Sequence, residues 1–218
     1  MLESNGNFYT PNGIQIFTKH KMMNSEIDME TVVARFESVL PEHVRDGVEM
    51  IIVGNFDEFE ERDIDAFYKD GALYVSNMQS DNKALLEDLV HETAHSVEEA
   101  YGYEIYDDLK IKNEFIRKRE HLHNILWQMG FKAPKEKFLD VEYDQKFDEF
   151  LLDKVGYDRL SEALKGVFVT AYAATSLREY FATGFERYFL GDSGELAAVC
   201  PYLSQKIDDL NNLENQYR

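Results

Sequence analysis

The chain has 218 residues, with 23 basic against 42 acidic side chains, a formal charge of −19 and a pI near 4.6. A hydrophobic content of 44%, with 13% aromatic residues, supplies a sizeable core and excludes global disorder. Such an acidic chain repels phosphate backbones and anionic lipid surfaces, which excludes nucleic-acid binding through a basic face and membrane binding by charge.

In chain order, residues 1–13 are polar and turn-rich and read as a loose lead-in. The stretch 14–18 alternates and is β-branched, so it reads as a short strand. Helical spacing of Val32, Val33, Phe36, Val39 and Leu40 predicts a helix over 29–44 that Pro41 ends early. The run 48–53 (VEMIIV) is a compact apolar strand closed by Gly54 and Asn55, whereas 56–69 is acidic and ambiguous. Gly71 then punctuates, and Ala72–Ser76 (ALYVS) reads as another strand. From Asn82 to about Tyr101 a long helix carries Leu85, Leu86, Leu89, Val90, Ala94, Val97 and Tyr101 on its apolar side, with Ser80 or Asp81 as its cap.

Residues 106–165 read as mainly helical, with helices over 111–127 and 143–155 around a loop at 130–134. The short run 168–171 is either strand or helix start. Leu177–Leu190 is a strong helix stopped by Gly191, and a last helix covers 201–213 with Pro201 in its first turn. Strands mixed with helices first, then helices alone, predict an α+β fold of one domain spanning 1–218. The single cysteine, Cys200, allows no internal disulfide and reads as a small buried hydrophobe. No run approaches the roughly 20 apolar residues of a membrane span, and the start lacks basic and apolar signal regions. The expected localisation is therefore cytoplasmic, or release without a cleavable signal peptide by lysis, packaging or precursor processing.

The long helix contains His91-Glu92-Thr93-Ala94-His95, an HExxH motif. Side chains at i and i+4 share one helical face, so two imidazoles can reach one metal ion from the same side. Glu92, adjacent but rotated, can hold a water at that ion and take its proton. With six His in the chain, composition predicts roughly 0.02 chance occurrences of the motif. A zinc site of this kind needs a third protein ligand and an open position. A third His on the same helix is excluded, because Glu98 and Tyr101 stand where Gly and His are required.

The best candidate for the third ligand is Glu179, which shares a helix face with Ala182, Thr183 and Glu186, opposite an apolar stripe. Small neighbours let this carboxylate approach another helix closely. Glu186 lies about 10.5 Å further along the helix, so only one of the two can ligate. Tyr172 precedes Glu179 by seven residues. If the helix extends that far back, seven steps of about 100° return to nearly the same face, and the neutral phenol can bond a developing oxyanion.

These residues together resemble the anthrax lethal factor-like metallopeptidases, to which the Pro-Pro endopeptidases are related. The match is His91-Glu92-x-x-His95, then Tyr172, then Glu179-Tyr180-Phe181-Ala182-Thr183-Gly184-Phe185, with a Pro201-led terminal helix. The resemblance implies a zincin fold of the Glu-ligand type, with one Zn²⁺ held by His91, His95 and Glu179. It implies Glu92 as general base, Tyr172 as oxyanion donor, and a peptide or protein substrate added to an edge strand, for which Leu73, Tyr74, Val75 and Ser76 are the candidates. The 84 positions from His95 to Glu179 exceed the family's usual spacing, so 106–165 reads as a helical insertion forming a lid, a substrate wall or a partner surface.

The remaining chemistry-bearing residues read as structural. His121 and His123 do not share a helical face, and His20 and His43 have no partner pattern. Arg178 reads as solvated and Asp88 as surface, with a second-sphere role for Asp88 as the sharper alternative. The acidic run 57–65 lacks the glycine spacing of a calcium loop. The expected function is zinc-dependent endopeptidase. The alternative is a catalytically silent subunit, stapled by zinc, within a larger virion-like or toxin-like assembly.

Overall fold

Alternating apolar residues build the first part of the chain into a five-stranded sheet. The computed structural model describes residues 7–213, Tyr157 by its backbone alone, so positions 1–6 of the expected lead-in lie outside the described residues. Strands β1 (Phe8–Tyr9), β2 (Gln15–Thr18), β3 (Met50–Gly54), β4 (Ala66–Lys69) and β5 (Ala72–Ser76) are ordered β1-β2-β3-β5-β4. The three middle strands run parallel, and the two outer ones are antiparallel to their neighbours. Register aligns Ile16, Ile51 and Leu73 across the middle strands, and Val53 beside Val75 two residues on; all five are fully buried. Residues two apart share a sheet face, so these side chains form a continuous aliphatic ridge. Phe67 on β4 stacks on its cross-strand partner Tyr74 at 4.6 Å, with Phe56 and Phe59 packed edge-on against the pair.

The expected substrate edge lies one strand further out. Leu73, Tyr74, Val75 and Ser76 do not form an edge: β5 is paired with β3 on one side and with β4 on the other. Asp70 and Gly71, with φ of 49° and 82°, form a two-residue hairpin that folds 66–69 back onto 72–76. The edge on this side is therefore β4.

Helix α1 (Met29–Val39) starts at Asp28, whose carboxylate accepts the Thr31 N–H, and it ends before Pro41 as expected. One-turn α2 (Glu42–Arg45) follows, and α3 (Asp57–Arg62) occupies the acidic run. Helix α4 (Asn82–Tyr106) is capped by Asp81, which accepts from the N–H groups of Lys83 and Ala84 at 2.8 and 2.9 Å. Its backbone is non-helical at Tyr101 (φ −120°, ψ 20°), and the chain divides there into two compact units, one ending at Ala100 and one beginning at Tyr101.

The second unit is helical: α5 (Lys110–Gln128), α6 (Glu136–Leu139), α7 (Gln145–Glu149), α8 (Tyr157–Ala163), α9 (Leu177–Leu190), α10 (Ser193–Val199) and α11 (Pro201–Asn211). The helix expected over 143–155 is α7 continued by a π-helical turn, Phe150–Val155, and ended by Gly156 at φ 86°. A separate 3₁₀ turn, Tyr172–Ala174, precedes α9. Gly184 lets α9 and α11 meet closely, since a Cβ there would lie 2.3 Å from a Leu203 methyl. The architecture is α+β and zincin-like: a twisted sheet packed against helices that include α4, followed by a largely helical half.

Candidate metal centre

The first part of the site is the exposed flank of α4. Leu85, Leu89, Val90, Ala94 and Val97 are buried along the helix, which leaves His91, Glu92 and His95 half-buried on the remaining face. The two imidazole rings stand 5.5 Å apart at 77° to each other. His95 Nδ1 lies 2.9 Å from Glu98 Oε2. A carboxylate on one ring nitrogen fixes the ring and directs Nε2 to a metal. Glu92 accepts a 2.9 Å hydrogen bond from the Tyr68 backbone N–H on edge strand β4. The Tyr68 hydroxyl in turn donates to Glu99 at 2.7 Å, so this strand grips α4 at two carboxylates.

Asp88 lies one turn before His91. It accepts from Gln79 Nε2 at 2.6 Å, and burial pushes its carboxyl up to about 6, with the charges of Asp65 and Glu92 acting in the same direction. The solvated-surface reading of Asp88 is thus replaced by that of a carboxyl largely withdrawn from water. The charge of His91 opposes the shift, which places Asp88 within electrostatic reach of that imidazole.

The second part is the start of α9. Ser176 is the N-cap, and its hydroxyl accepts the Glu179 N–H at 3.1 Å. This puts Glu179 in the first turn, half-buried, while Tyr180, Phe181, Ala182, Thr183, Gly184 and Phe185 are buried. One ligand atom each from His91, His95 and Glu179 lie within 4.8 Å of one another. Among the described residues this is the single such grouping of His, Cys, Asp and Glu. Two nitrogens and one carboxylate oxygen suit zinc. Glu186 is not part of the grouping.

Tyr172 does not stand where helical extrapolation puts it. It lies on the 3₁₀ turn, separated from α9 by the Ser176 cap, and is 43% exposed. A seven-residue helical return therefore does not describe its relation to Glu179. Two neighbours of the triad carried no signal in the sequence reading. Glu98 stands where the third-histidine motif requires Gly, and that position says nothing of its contact with His95. Asp148 on α7 is raised by burial and then by the charge of Glu179, and its Oδ1 is buried without a hydrogen-bond partner. The S-x-x-E pattern of Ser176 and Glu179 was the available signal for the helix start.

Two of the remaining histidines make local structural contacts. His20 Nδ1 accepts the Asn55 N–H, and His123 packs on Phe138 with Nε2 near the Ala133 carbonyl. Among the described residues no helix is long and apolar enough to cross a membrane. Comparison with family models, with curated proteins and with solved structures finds no match.

Proposed function

We propose that the chain is a zinc-dependent endopeptidase of the Glu-ligand zincin type, similar to the lethal factor-like metallopeptidases. The observation that carries the reading is the convergence of His91, His95 and Glu179 on one small volume. These three side chains would hold the ion. Zinc bound there supplies Lewis acidity toward a water molecule and a scissile carbonyl. Glu92, held in orientation by the Tyr68 N–H, takes the proton of the attacking water and later delivers it to the leaving amine. The Tyr172 phenol donates to the oxyanion that develops on the scissile carbonyl. A peptide lying along β4, the open edge, would pass beside Glu92.

A second reading has one observation in its favour. The bond from β4 to Glu92 also serves as a plain anchor between strand and helix, as a zinc-stapled, non-catalytic subunit would use it. Cleavage profiling of a whole proteome, wild type against Glu92→Gln, separates the two. The enzyme reading expects new peptide termini that depend on Glu92, with zinc content unchanged in the variant. Identical profiles from the two proteins would leave the structural reading in place.

A further inference from the structure

The helical segment between the second histidine and the distal glutamate contains a buried cation that the reaction does not use. Arg119 on α5 is 1% exposed. Its Nη1 donates to the carbonyls of Ala174 and Thr175 at 2.8 and 3.1 Å, and its Nη2 donates to the Lys137 carbonyl. The guanidinium lies over Phe147 at 4.1 Å and beside Phe115 and Phe138. Among the described residues no carboxylate is shown hydrogen-bonded to it; Asp140 acts through its charge, and burial pulls the pKa of Arg119 down to about 10. A buried cation neutralised by carbonyl dipoles and ring faces is costly to assemble, and removing it orphans the groups it holds.

The groups it holds sit at one place. Ala174 and Thr175 are the two residues immediately before Ser176, the cap whose hydroxyl receives the Glu179 N–H. On the other side of the cap, the Leu177 N–H donates to the Val141 carbonyl at 2.8 Å. Lys137 and Val141 belong to one short segment that Arg119 also grips. The Tyr172 carbonyl accepts from both the backbone and the hydroxyl of Thr175, so the same clamp fixes the turn that carries Tyr172. Metal ligands must be placed to within a few tenths of an ångström. A helix start pinned on both flanks of its cap gives Glu179 that placement.

We propose that Arg119 is a positioning residue for the distal metal ligand: it fixes the turn that launches α9 and thereby the placement of Glu179. The inference deepens the metallopeptidase reading and rests on it. It gives the 106–165 segment the task of buttressing the centre.

The test measures metal binding, not turnover. Zinc affinity is read by competition with a chromophoric chelator, and ligand geometry by the visible spectrum of the Co²⁺-loaded protein. Wild type, Arg119→Met, Arg119→Lys, Glu179→Ala and Leu196→Ala are compared. Leu196 is fully buried on α10 and serves as a control for general loss of stability. Arg119→Met is expected to bind zinc about 10- to 100-fold more weakly and to change the Co²⁺ spectrum, with its far-UV circular dichroism unchanged. Arg119→Lys keeps the charge but not the planar fork, is expected to lose zinc affinity likewise, and carries the comparison should the Met variant not fold. Leu196→Ala is expected to lower the melting temperature without moving either metal readout. Zinc affinity within about threefold of wild type in the folded Arg119 variant overturns the proposal, as does an equal loss in Leu196→Ala. If zinc binding is lost in Glu179→Ala but kept in Arg119→Met, this proposal alone fails. A wild type that takes up no zinc removes the metallopeptidase reading as well.

Discussion

Glu114 is the residue on which the helical unit is expected to be most sensitive. The residue is 6% exposed, and its carboxylate accepts from three donors: the Tyr180 hydroxyl at 2.8 Å, the Tyr202 N–H at 3.0 Å and the Leu203 N–H at 3.2 Å. The last two belong to the first turn of α11, where N–H groups have no partner within the helix and the dipole favours an anion. Burial pushes the Tyr180 phenol strongly up, so it stays a donor at every pH at which the protein folds. Glu114→Ala removes the acceptor of three donors, two of them in buried bonds. Each costs about 1–3 kcal/mol, and water entering the vacated volume recovers part of that, so a net loss of about 3–5 kcal/mol is expected. Glu114→Gln keeps one acceptor oxygen but turns an amide donor toward an N–H, and about half that loss is expected. Urea unfolding of the zinc-free protein reads both variants. A loss below about 1 kcal/mol for Glu114→Ala, or equal losses for the two, would refute the assignment of the carboxylate as the hub joining α5, α9 and α11.

Three further outcomes are expected. Asp88 has its carboxyl raised from 3.8 to about 6, so the fold favours the protonated form, and stability is lost as pH rises through 6. Asp88→Asn keeps an acceptor for Gln79 and should stabilise the zinc-free protein by about 3 kcal/mol at pH 7.5 but only about 1 kcal/mol at pH 4.5. A gain independent of pH in urea titrations would contradict this. Glu98→Gln removes the charge beside His95 Nδ1 and should weaken zinc binding about tenfold by calorimetry; unchanged affinity would remove Glu98 from the site. Chelation of zinc supplied at about 100 times its dissociation constant should remove about 2.7 kcal/mol of stability from wild type and none from Glu179→Ala, as read by thermal unfolding.

The parts of the molecule legible from sequence are those whose signal is local. His91 and His95 meet because four residues make about one helical turn, and Leu177–Leu190 was bounded by its apolar period and Gly191. Three of the five strands were marked by β-branched runs. The missing edge, β4, is four residues long and lies in an acidic stretch, where charge hides the alternation; the Asp70-Gly71 hairpin was its only strong marker. With no strand read in 56–69, β5 becomes the outermost strand and so the expected edge. The helical return from Glu179 to Tyr172 fails for a related reason. Helical periodicity holds only within one helix, and the Ser176 cap interrupts it. Arg119, Glu114 and Asp148 carried no signal, because an isolated charged residue on a helix reads as solvated until its tertiary partners are known.

The strand that sequence analysis passed over is also the one that touches the expected base. In an antiparallel pair the residues of an edge strand alternate between facing their partner and facing away. Asp65 faces β5, since its carbonyl accepts the Ser76 N–H, and Tyr68, three residues on, faces outward. The outward N–H of Tyr68 is therefore the group an added peptide strand would seek, and it is already given to Glu92. A substrate pairing with β4 must leave that one donor to the carboxylate and bond elsewhere along the edge, or take it and release Glu92. The first case keeps the base oriented throughout the reaction, and the second couples its release to substrate binding. In the stapled-subunit reading no peptide competes, and the bond is a permanent tie. Whether this 2.9 Å hydrogen bond yields to a bound peptide separates the release case from the other two. Amide exchange at Tyr68 should respond to a bound, uncleaved peptide if the release case holds, and stay fixed in the other two.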